Sequence, residues 1–211
     1  MERAGVCGRH DLDHRLMEEF SAGMVLSGYL QGCFPMAEPE GTIFWYAPDP
    51  RCVIPLENYR PARSLRPVLN RGTFEIRLNT AFEAVMRQCA RPRSDSDSIW
   101  ISEQIIEVYT QLHGLGYAHS VEAWYEGELA GGLYGVSLGK VFFGESMFHT
   151  VPNASKVAFH YLILRLREKG YRMLDSQIMN DNVKRFGATE ISRKEFMAVL
   201  KKNVSLEKHF I

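Results

Sequence analysis

The 211-residue sequence predicts an α/β fold, in which helices pack on a mixed, mainly antiparallel sheet that follows a small irregular lobe. Two observations support this prediction. Seven prolines between Pro35 and Pro67 exclude long regular elements from that stretch. From residue 73 onward, segments with strand and helix periodicity follow in the order βααβββαβα. We therefore expect a lobe over residues 1–67, with 1–23 poorly ordered, and a larger domain over residues 68–211.

The strands are predicted from period-two alternation bounded by turn residues. In chain order they are Ile43–Tyr46, Cys52–Pro55, Thr73–Leu78, His119–Tyr125, Glu128–Ser137, Lys140–Phe148 and Arg172–Met179. Two turn pairs, Glu126-Gly127 and Leu138-Gly139, separate the three strands that run from His119 to Phe148. Those three strands are therefore expected to form an antiparallel meander.

The helices are predicted from capping residues that precede segments with helical spacing. The predicted starts are Thr80 with Glu83, Ser102, Asn153, and Ser192 with Glu195. Residues 90–98 read as a charged, Ser-rich loop. This order of elements is the one expected of a GNAT-type acyltransferase-like fold.

Charge is balanced over the whole chain, with 25 basic and 25 acidic residues, so net charge gives no argument for nucleic-acid binding. The distribution is uneven, because residues 51–93 contain nine arginines and only three acidic residues. Arginine is well suited to bidentate phosphate contacts. This segment is either a phosphate-binding surface or an ordinary solvated basic face.

The four cysteines are far apart and predict neither a disulfide framework nor a zinc site. No apolar leader is seen in the charged first twenty residues, and no apolar run has the ~18–20 residues of a membrane span. We expect a cytoplasmic protein that does not enter membranes and is a monomer.

A carboxylate lies in the apolar strand Lys140–Phe148. Strand alternation would place Phe143, Glu145 and Met147 on one face. A carboxylate between two large apolar side chains is costly without a partner or a task. The alternative is that Glu145 faces solvent.

Asp175 and Gln177 lie two residues apart in the strand Arg172–Met179 and are predicted to point to the same side. Such a pair could orient and deprotonate an attacking amine. It could equally be a structural pair that satisfies nearby backbone groups.

The turn H-T-V-P-N-A-S-K (149–156) enters the helix predicted at Asn153, where an anion or polar ligand would be favoured. The turn contains no glycine, which counts against binding of the coenzyme A pyrophosphate by its backbone N–H groups. Trp45 and Trp100 are candidates for stacking on a nucleobase, although core packing is the more common role of tryptophan.

Several segments together resemble one family. They are G-Y-L-Q-G-C-F-P-M-A-E (28–38), W-Y-A-P-D-P-R (45–51), S-I-W-I-S (98–102), L-G-Y-A-H-S-V-E-A-W (115–124), G-G-L-Y-G-V (131–136), F-F-G-E-S-M-F (142–148), N-A-S-K (153–156) and L-D-S-Q-I-M-N-D (174–181). The chain resembles leucyl/phenylalanyl-tRNA–protein transferases over residues 24–200. The resemblance implies an N-terminal lobe, a GNAT-type domain, and transfer of Leu, Phe or, more weakly, Met from tRNA to proteins that start with Lys or Arg. The product is a degradation signal, and no metal or organic cofactor is implied.

Site residues follow from the same resemblance. The catalytic acid and amide fall on Asp175 and Gln177, and Glu145 is assigned to recognition of a cationic amine. The implied substrate contacts are an apolar donor pocket of Leu133, Met147, Leu162 and Leu174, the adenosine neighbours Trp100 and Met36, and the polar residues Ser146 and Asn153.

Two features depart from the family pattern. Many members have an aromatic residue where this chain has Met36, and many have a G-G-D-L stretch that residues 1–23 lack. Two other classes stay open: a coenzyme A-dependent N-acetyltransferase, disfavoured by the glycine-free turn, and a tRNA-binding module without activity, disfavoured by the presence of Asp175, Gln177 and Glu145.

Overall fold

The computed structural model describes residues 20–38, 40–92 and 100–211. The helices are α1 Ala22–Leu30, α2 Arg66–Arg71, α3 Phe82–Cys89, α4 Glu103–Gly114, α5 Ala154–Glu168, α6 Asp181–Lys184 and α7 Arg193–Asn203. The strands are β1 Phe34–Ala37, β2 Ile43–Tyr46, β3 Arg51–Ile54, β4 Glu75–Leu78, β5 Ala118–Tyr125, β6 Glu128–Leu138, β7 Val141–His149, β8 Met173–Gln177 and β9 Thr189–Ile191. No helix in these ranges is long and apolar enough to cross a membrane.

In the part of the chain that the structure describes, seven strands form the main sheet, in the order β4-β5-β6-β7-β8-β3-β9. Every neighbouring pair is antiparallel except β7 and β8, which run parallel and are joined by α5. The prediction of a mixed, mainly antiparallel sheet is therefore confirmed. The meander β5–β6–β7 turns at Glu126-Gly127, where both residues have positive φ, as a two-residue hairpin of matching twist requires.

The expected boundary at residue 67 does not coincide with the sheets. β3 lies between β8 and β9 in the main sheet, so residues 51–54 belong to the larger unit. Among the described residues, only β1 and β2 form a separate two-stranded sheet, with Phe34 opposite Tyr46. The sequence did not indicate the pairing of β3, because β3 lies in the proline-rich segment and its partner strands lie more than 100 residues further along the chain. The expected poor order of residues 1–23 falls largely on residues 1–19, which lie outside the described ranges, and α1 begins at Ala22.

The sheet is covered on both faces, and each face carries an apolar cluster. One cluster joins α1, α3 and α4 to alternate residues of β6 and β7, such as Tyr134 and Phe143. The other joins α5 to the opposite face, through Leu133, Phe142 and Leu174. Burying both faces requires nearly continuous apolar strands, which explains why β6 and β7 lack a polar side.

Two of the predicted helix starts need correction. Asn153 precedes α5 in a left-handed conformation (φ 71°), and its side chain makes no capping hydrogen bond. Thr80 and Glu83 form no capping box, because Ala81 occupies the cap position and Glu83 instead pairs with Arg87. Ser102 does cap α4, and Ser192 with Glu195 forms the predicted capping box of α7.

The buried carboxylate of Glu122, on β5, accepts hydrogen bonds from the backbone N–H groups at the start of α3. It accepts hydrogen bonds from the backbone N–H groups of Thr80 (3.0 Å) and Ala81 (3.1 Å) and from the Ser120 hydroxyl (2.6 Å). Glu122 is fully buried. The sequence missed this contact because the carboxylate that serves α3 is 41 residues away along the chain.

Replacing Glu122 by Ala is expected to destabilise the protein by roughly 3 kcal/mol or more, because several buried donors lose a charged acceptor. Urea unfolding measures the loss. The matched control is Glu83→Ala, an exposed carboxylate on the same helix start, which should cost less than about 1 kcal/mol. Equal losses in the two variants would contradict the assignment.

Candidate active site

A cavity of about 520 Å³ opens where β7 and β8 separate. The parallel pairing of these strands runs from Val141 with Met173 to Phe143 with Asp175. Residues beyond that point on both strands line the cavity, which lies between the two apolar clusters. The gap between the strands is therefore the structural origin of the site.

Glu145 enters this gap because β7 carries a bulge. Tyr134 of β6 pairs with Ser146 and Gly135 pairs with Gly144, so Glu145 is an extra residue between the two pairs. A side chain at Gly135 would place its Cβ 2.2 Å from the Phe143 carbonyl oxygen, so only glycine fits opposite the bulge.

The bulge overturns the simple alternation predicted for this strand. Phe143 packs in the cluster with α1, whereas Met147 packs in the cluster with α5, so the two do not share a face. Glu145 does not face open solvent either. Its Oε1 accepts hydrogen bonds from Tyr29 Oη (2.7 Å) and Gln177 Nε2 (2.9 Å), and Tyr29 is also bonded to the Tyr109 hydroxyl (2.5 Å).

Burial dominates the protonation of Glu145. Desolvation raises the pKa of its carboxyl from 4.5 to about 8, the hydrogen bond from Tyr29 opposes the rise, and the negative charge of Asp175 adds to it. At neutral pH the carboxyl of the free protein is therefore mostly protonated. A cation bound beside it would favour the ionised form.

This raised pKa predicts a pH-dependent stability. Between pH 4.5 and about 8 the folded state retains a proton that the unfolded state has lost, so stability falls as pH rises through this window. The slope is up to about 1.4 kcal/mol per pH unit. Glu145→Gln removes the titrating group, so its unfolding free energy should lack this component. Urea unfolding at pH 5, 6, 7 and 8 measures it, and parallel profiles for the two proteins would contradict it.

Asp175 and Gln177 do not form the predicted pair of side chains, and the contact between them is from the Gln177 backbone to the Asp175 carboxylate. Asp175 is fully buried and forms a two-point ion pair with Arg51, with Nε–Oδ1 at 2.9 Å and Nη2–Oδ2 at 2.6 Å. Its Oδ1 also accepts the backbone N–H of Gln177 at 2.9 Å. Gln177 has a positive φ of 58°, and its side chain turns to Glu145. The β3 register shifts here, so Ser176 is an extra residue in β8 and simple alternation fails.

Arg51 is thus a buried structural group and not a phosphate contact. Its guanidinium lies between the rings of Phe34 (4.9 Å) and Phe196 (4.6 Å) and donates to the carbonyl oxygen of Gly32 (3.3 Å). Arg51 is therefore not part of the arginine-rich surface that residues 51–93 were expected to form. The exposed members include Arg60, Arg63, Arg66, Arg71, Arg87 and Arg91, and Arg93 lies outside the described ranges.

Most of the predicted site residues line the cavity. They are Met36, Trp100, Leu133, Glu145, Ser146, Met147, Leu162, Leu174 and Gln177. Asp175 lies behind the wall against Arg51, and Asn153 is not among the lining residues. Trp45 also lies elsewhere, packed against Gly28 of α1.

Sequence reasoning missed several lining residues. Phe159 and Phe186 stack at 4.0 Å and extend the apolar end, and Asn180 and Tyr134 add polar groups. Phe159 lies three residues before Leu162 on α5, a helical spacing that could have indicated it. Phe186 and Tyr134 have no comparable local signal.

The cavity therefore combines an apolar end, a flat aromatic residue at Trp100, and a carboxyl and an amide held together. This set defines an α/β protein whose site fits an apolar acyl group beside an amine. The sequence pattern described as "Leucyl/phenylalanyl-tRNA protein transferase" matches residues 53–201, and that of the corresponding N-terminal domain matches residues 18–49. The chain belongs to this family.

Relatives cover nearly the whole chain. Leucyl/phenylalanyl-tRNA–protein transferase of Chlorobaculum parvum is 53% identical over 188 residues, covering 89% of this chain and 97% of the relative. The protein of the same name from Chlorobaculum tepidum is 50% identical with the same coverage. Among solved structures, L-PGS from Bacillus licheniformis aligns with a TM-score of 0.45 and 11% identity, over 74% of this chain and 65% of its own.

Proposed function

We propose that this protein transfers Leu or Phe, and more weakly Met, from aminoacyl-tRNA to the α-amine of proteins that start with Lys or Arg, which marks them for degradation. The observation that carries the proposal is the cavity between β7 and β8, because one space holds an apolar end and the Glu145–Gln177 pair. Family membership supports the same reaction. We further propose that the protein acts as a monomer in the cytoplasm.

The apolar end is the proposed pocket for the donor side chain. Leu133, Leu162 and Leu174 line it and are nearly fully buried. A hydrocarbon pocket separates side chains that differ by one methylene by only ~1–3 kcal/mol. Some acceptance of Leu, Phe and Met together is therefore the physical expectation.

The opposite wall is the proposed site of the tRNA 3′ end. Trp100 offers a ring on which adenine can stack, and Met36 lies on the same wall in place of a second aromatic residue. The exposed guanidinium of Arg91 lines the cavity as well. Arginines of this segment would contact acceptor-stem phosphates, and such contacts weaken as salt rises.

The proposed chemistry is an aminolysis of the tRNA ester. The acceptor nitrogen bonds to the aminoacyl carbonyl carbon, the carbon–oxygen ester bond breaks, and the ribose hydroxyl leaves with a proton. A second proton passes from the ammonium form of the acceptor to solvent. Glu145 would hold the cationic amine. The carbonyl oxygen of the Gln177 side chain would accept a hydrogen bond from the amine and orient it as its proton passes to solvent, since the Nε2 group is bonded to Glu145.

Asp175 has a supporting role in this scheme. Its carboxylate holds the backbone N–H of Gln177 and is neutralised by Arg51. It would therefore fix the backbone of Gln177 in its left-handed conformation, without touching the substrate.

A GNAT-type arrangement is the finer fold assignment that we propose. It is supported by the element order βααβββαβα, to which the structure adds α6 and β9 before the last helix. A donor other than coenzyme A is consistent with this arrangement, because residues 150–153, between β7 and α5, contain no glycine.

A thermal-shift experiment separates the donor classes, because a ligand of the folded state raises the melting temperature. The probes are a leucyl-adenosine amide, in which an amide replaces the labile ester, and acetyl-coenzyme A. Stabilisation by the leucyl-adenosine amide alone is expected. Stabilisation by acetyl-coenzyme A alone would replace the proposal with an N-acetyltransferase. A protein that binds charged tRNA but never transfers the amino acid would be the non-catalytic module.

A further inference from the structure

Tyr134 is a residue of the cavity wall whose hydroxyl is an unused hydrogen-bond donor. The residue lies on β6 opposite Ser146, is fully buried, and lines the cavity. Its hydroxyl has no hydrogen-bond partner among the described residues. The neighbouring hydroxyls of Tyr29 and Tyr109 are both paired, so Tyr134 is unlike the tyrosines around it.

The side chain of Tyr134 is held in place by its surroundings. Its ring packs edge-on against Phe82 at 6.0 Å and Tyr109 at 5.9 Å. Burial, with the negative charge that Glu145, Tyr109 and Cys89 carry when ionised, keeps the pKa of the hydroxyl well above its usual value of 10. The group is therefore a protonated donor in a fixed position, near the Glu145 carboxyl that also lines the cavity.

A buried hydrogen-bond donor without an acceptor destabilises the free protein. It gains a hydrogen bond when a bound ligand places an acceptor atom beside it. The surroundings of Tyr134 indicate which ligand atom it would meet. Its side chain points to the face of the sheet opposite that of Leu133, into the cluster that also contains Tyr29, which donates to Glu145, and Tyr109. The ester carbonyl must lie beside the amine that attacks it, and Glu145 would hold that amine, so the carbonyl would lie on this side of the cavity.

We propose that the Tyr134 hydroxyl donates a hydrogen bond to an oxygen of the aminoacyl ester of the bound donor. This inference rests on the proposed function and adds a substrate-contacting residue to it. The ester carbonyl oxygen gains negative charge as the amine attacks, so a donor at this position would act during the reaction as well as in binding.

The test is Tyr134→Phe, which removes only the hydroxyl. The expected result is a fall in kcat/KM for leucyl transfer of about 2- to 12-fold, the value of one neutral hydrogen bond, and a similar rise in the Kd of the leucyl-adenosine amide. The melting temperature of the free protein should be unchanged or higher, because an unsatisfied buried group is lost. A structural hydroxyl would give the opposite pattern, with a lower melting temperature and unchanged kinetics.

Tyr171→Phe is the matched control. The Tyr171 hydroxyl is bonded to Ser137 and does not line the cavity, so this variant should lose stability and keep its kinetics. If wild type transfers leucine and Tyr134→Phe matches it in kinetics and analogue binding, this inference fails alone. If wild type neither transfers leucine nor binds the leucyl-adenosine amide, the proposed function fails first and takes the inference with it.

Discussion

Asp175→Asn is expected to destabilise the protein by about 3–5 kcal/mol and to reduce transfer at least ~100-fold. The substitution leaves the guanidinium of Arg51 charged, buried and without its carboxylate. It also weakens the hydrogen bond that holds the backbone of Gln177. Urea unfolding and single-turnover transfer, measured on protein shown to be folded, report the two losses separately.

A double variant separates stability from activity. In Arg51→Met/Asp175→Leu both buried charges are removed, so the protein should be more stable than Asp175→Asn. Transfer should not return, because the Gln177 N–H has no carboxylate acceptor in either variant. Recovery of transfer together with stability would show that the ion pair serves folding alone.

Gln177→Ala is expected to lower kcat/KM by about 100-fold or more while the protein stays folded. The amide lines the cavity and donates to Glu145 at 2.9 Å, so its loss removes a polar group from the proposed reaction centre. Transfer from leucyl-tRNA to a peptide that starts with Arg measures the change.

The control for Gln177→Ala is Gln177→Gly, which also removes the amide but tolerates the positive φ of this residue better. The residue has φ 58°, a conformation that costs a residue with a Cβ roughly 1–2 kcal/mol and costs glycine little. The glycine variant should therefore be the more stable of the two and equally inactive. Activity that followed stability, with the glycine variant active, would contradict a chemical role for the amide.

Local signals predicted most of the main domain. Turn pairs such as Glu126-Gly127 and caps such as Ser102 and Ser192 act over a few residues, and the elements they bound are found where expected. The pairing of β3 with β8 and β9 was not predicted, because these partner strands are distant in sequence. Thr80 and Glu83 have the spacing of a capping box, but a tertiary contact from Glu122 took its place.

The family resemblance indicated residues such as Leu133 and Leu162, which line the cavity, but local patterns could not indicate a change of register. The bulge at Glu145 reverses the faces of the residues after it, and period-two counting cannot detect an added residue. The Arg51–Asp175 pair joins positions 124 residues apart, so neither residue carried a local sign of the other.

The most direct test of the proposed function is transfer of labelled leucine from charged tRNA to a peptide that begins with Arg, with a peptide beginning with Gly as control. Transfer to the Arg peptide alone is the predicted result. Folded protein that transfers nothing from leucyl-, phenylalanyl- or methionyl-tRNA to the Arg peptide would contradict it.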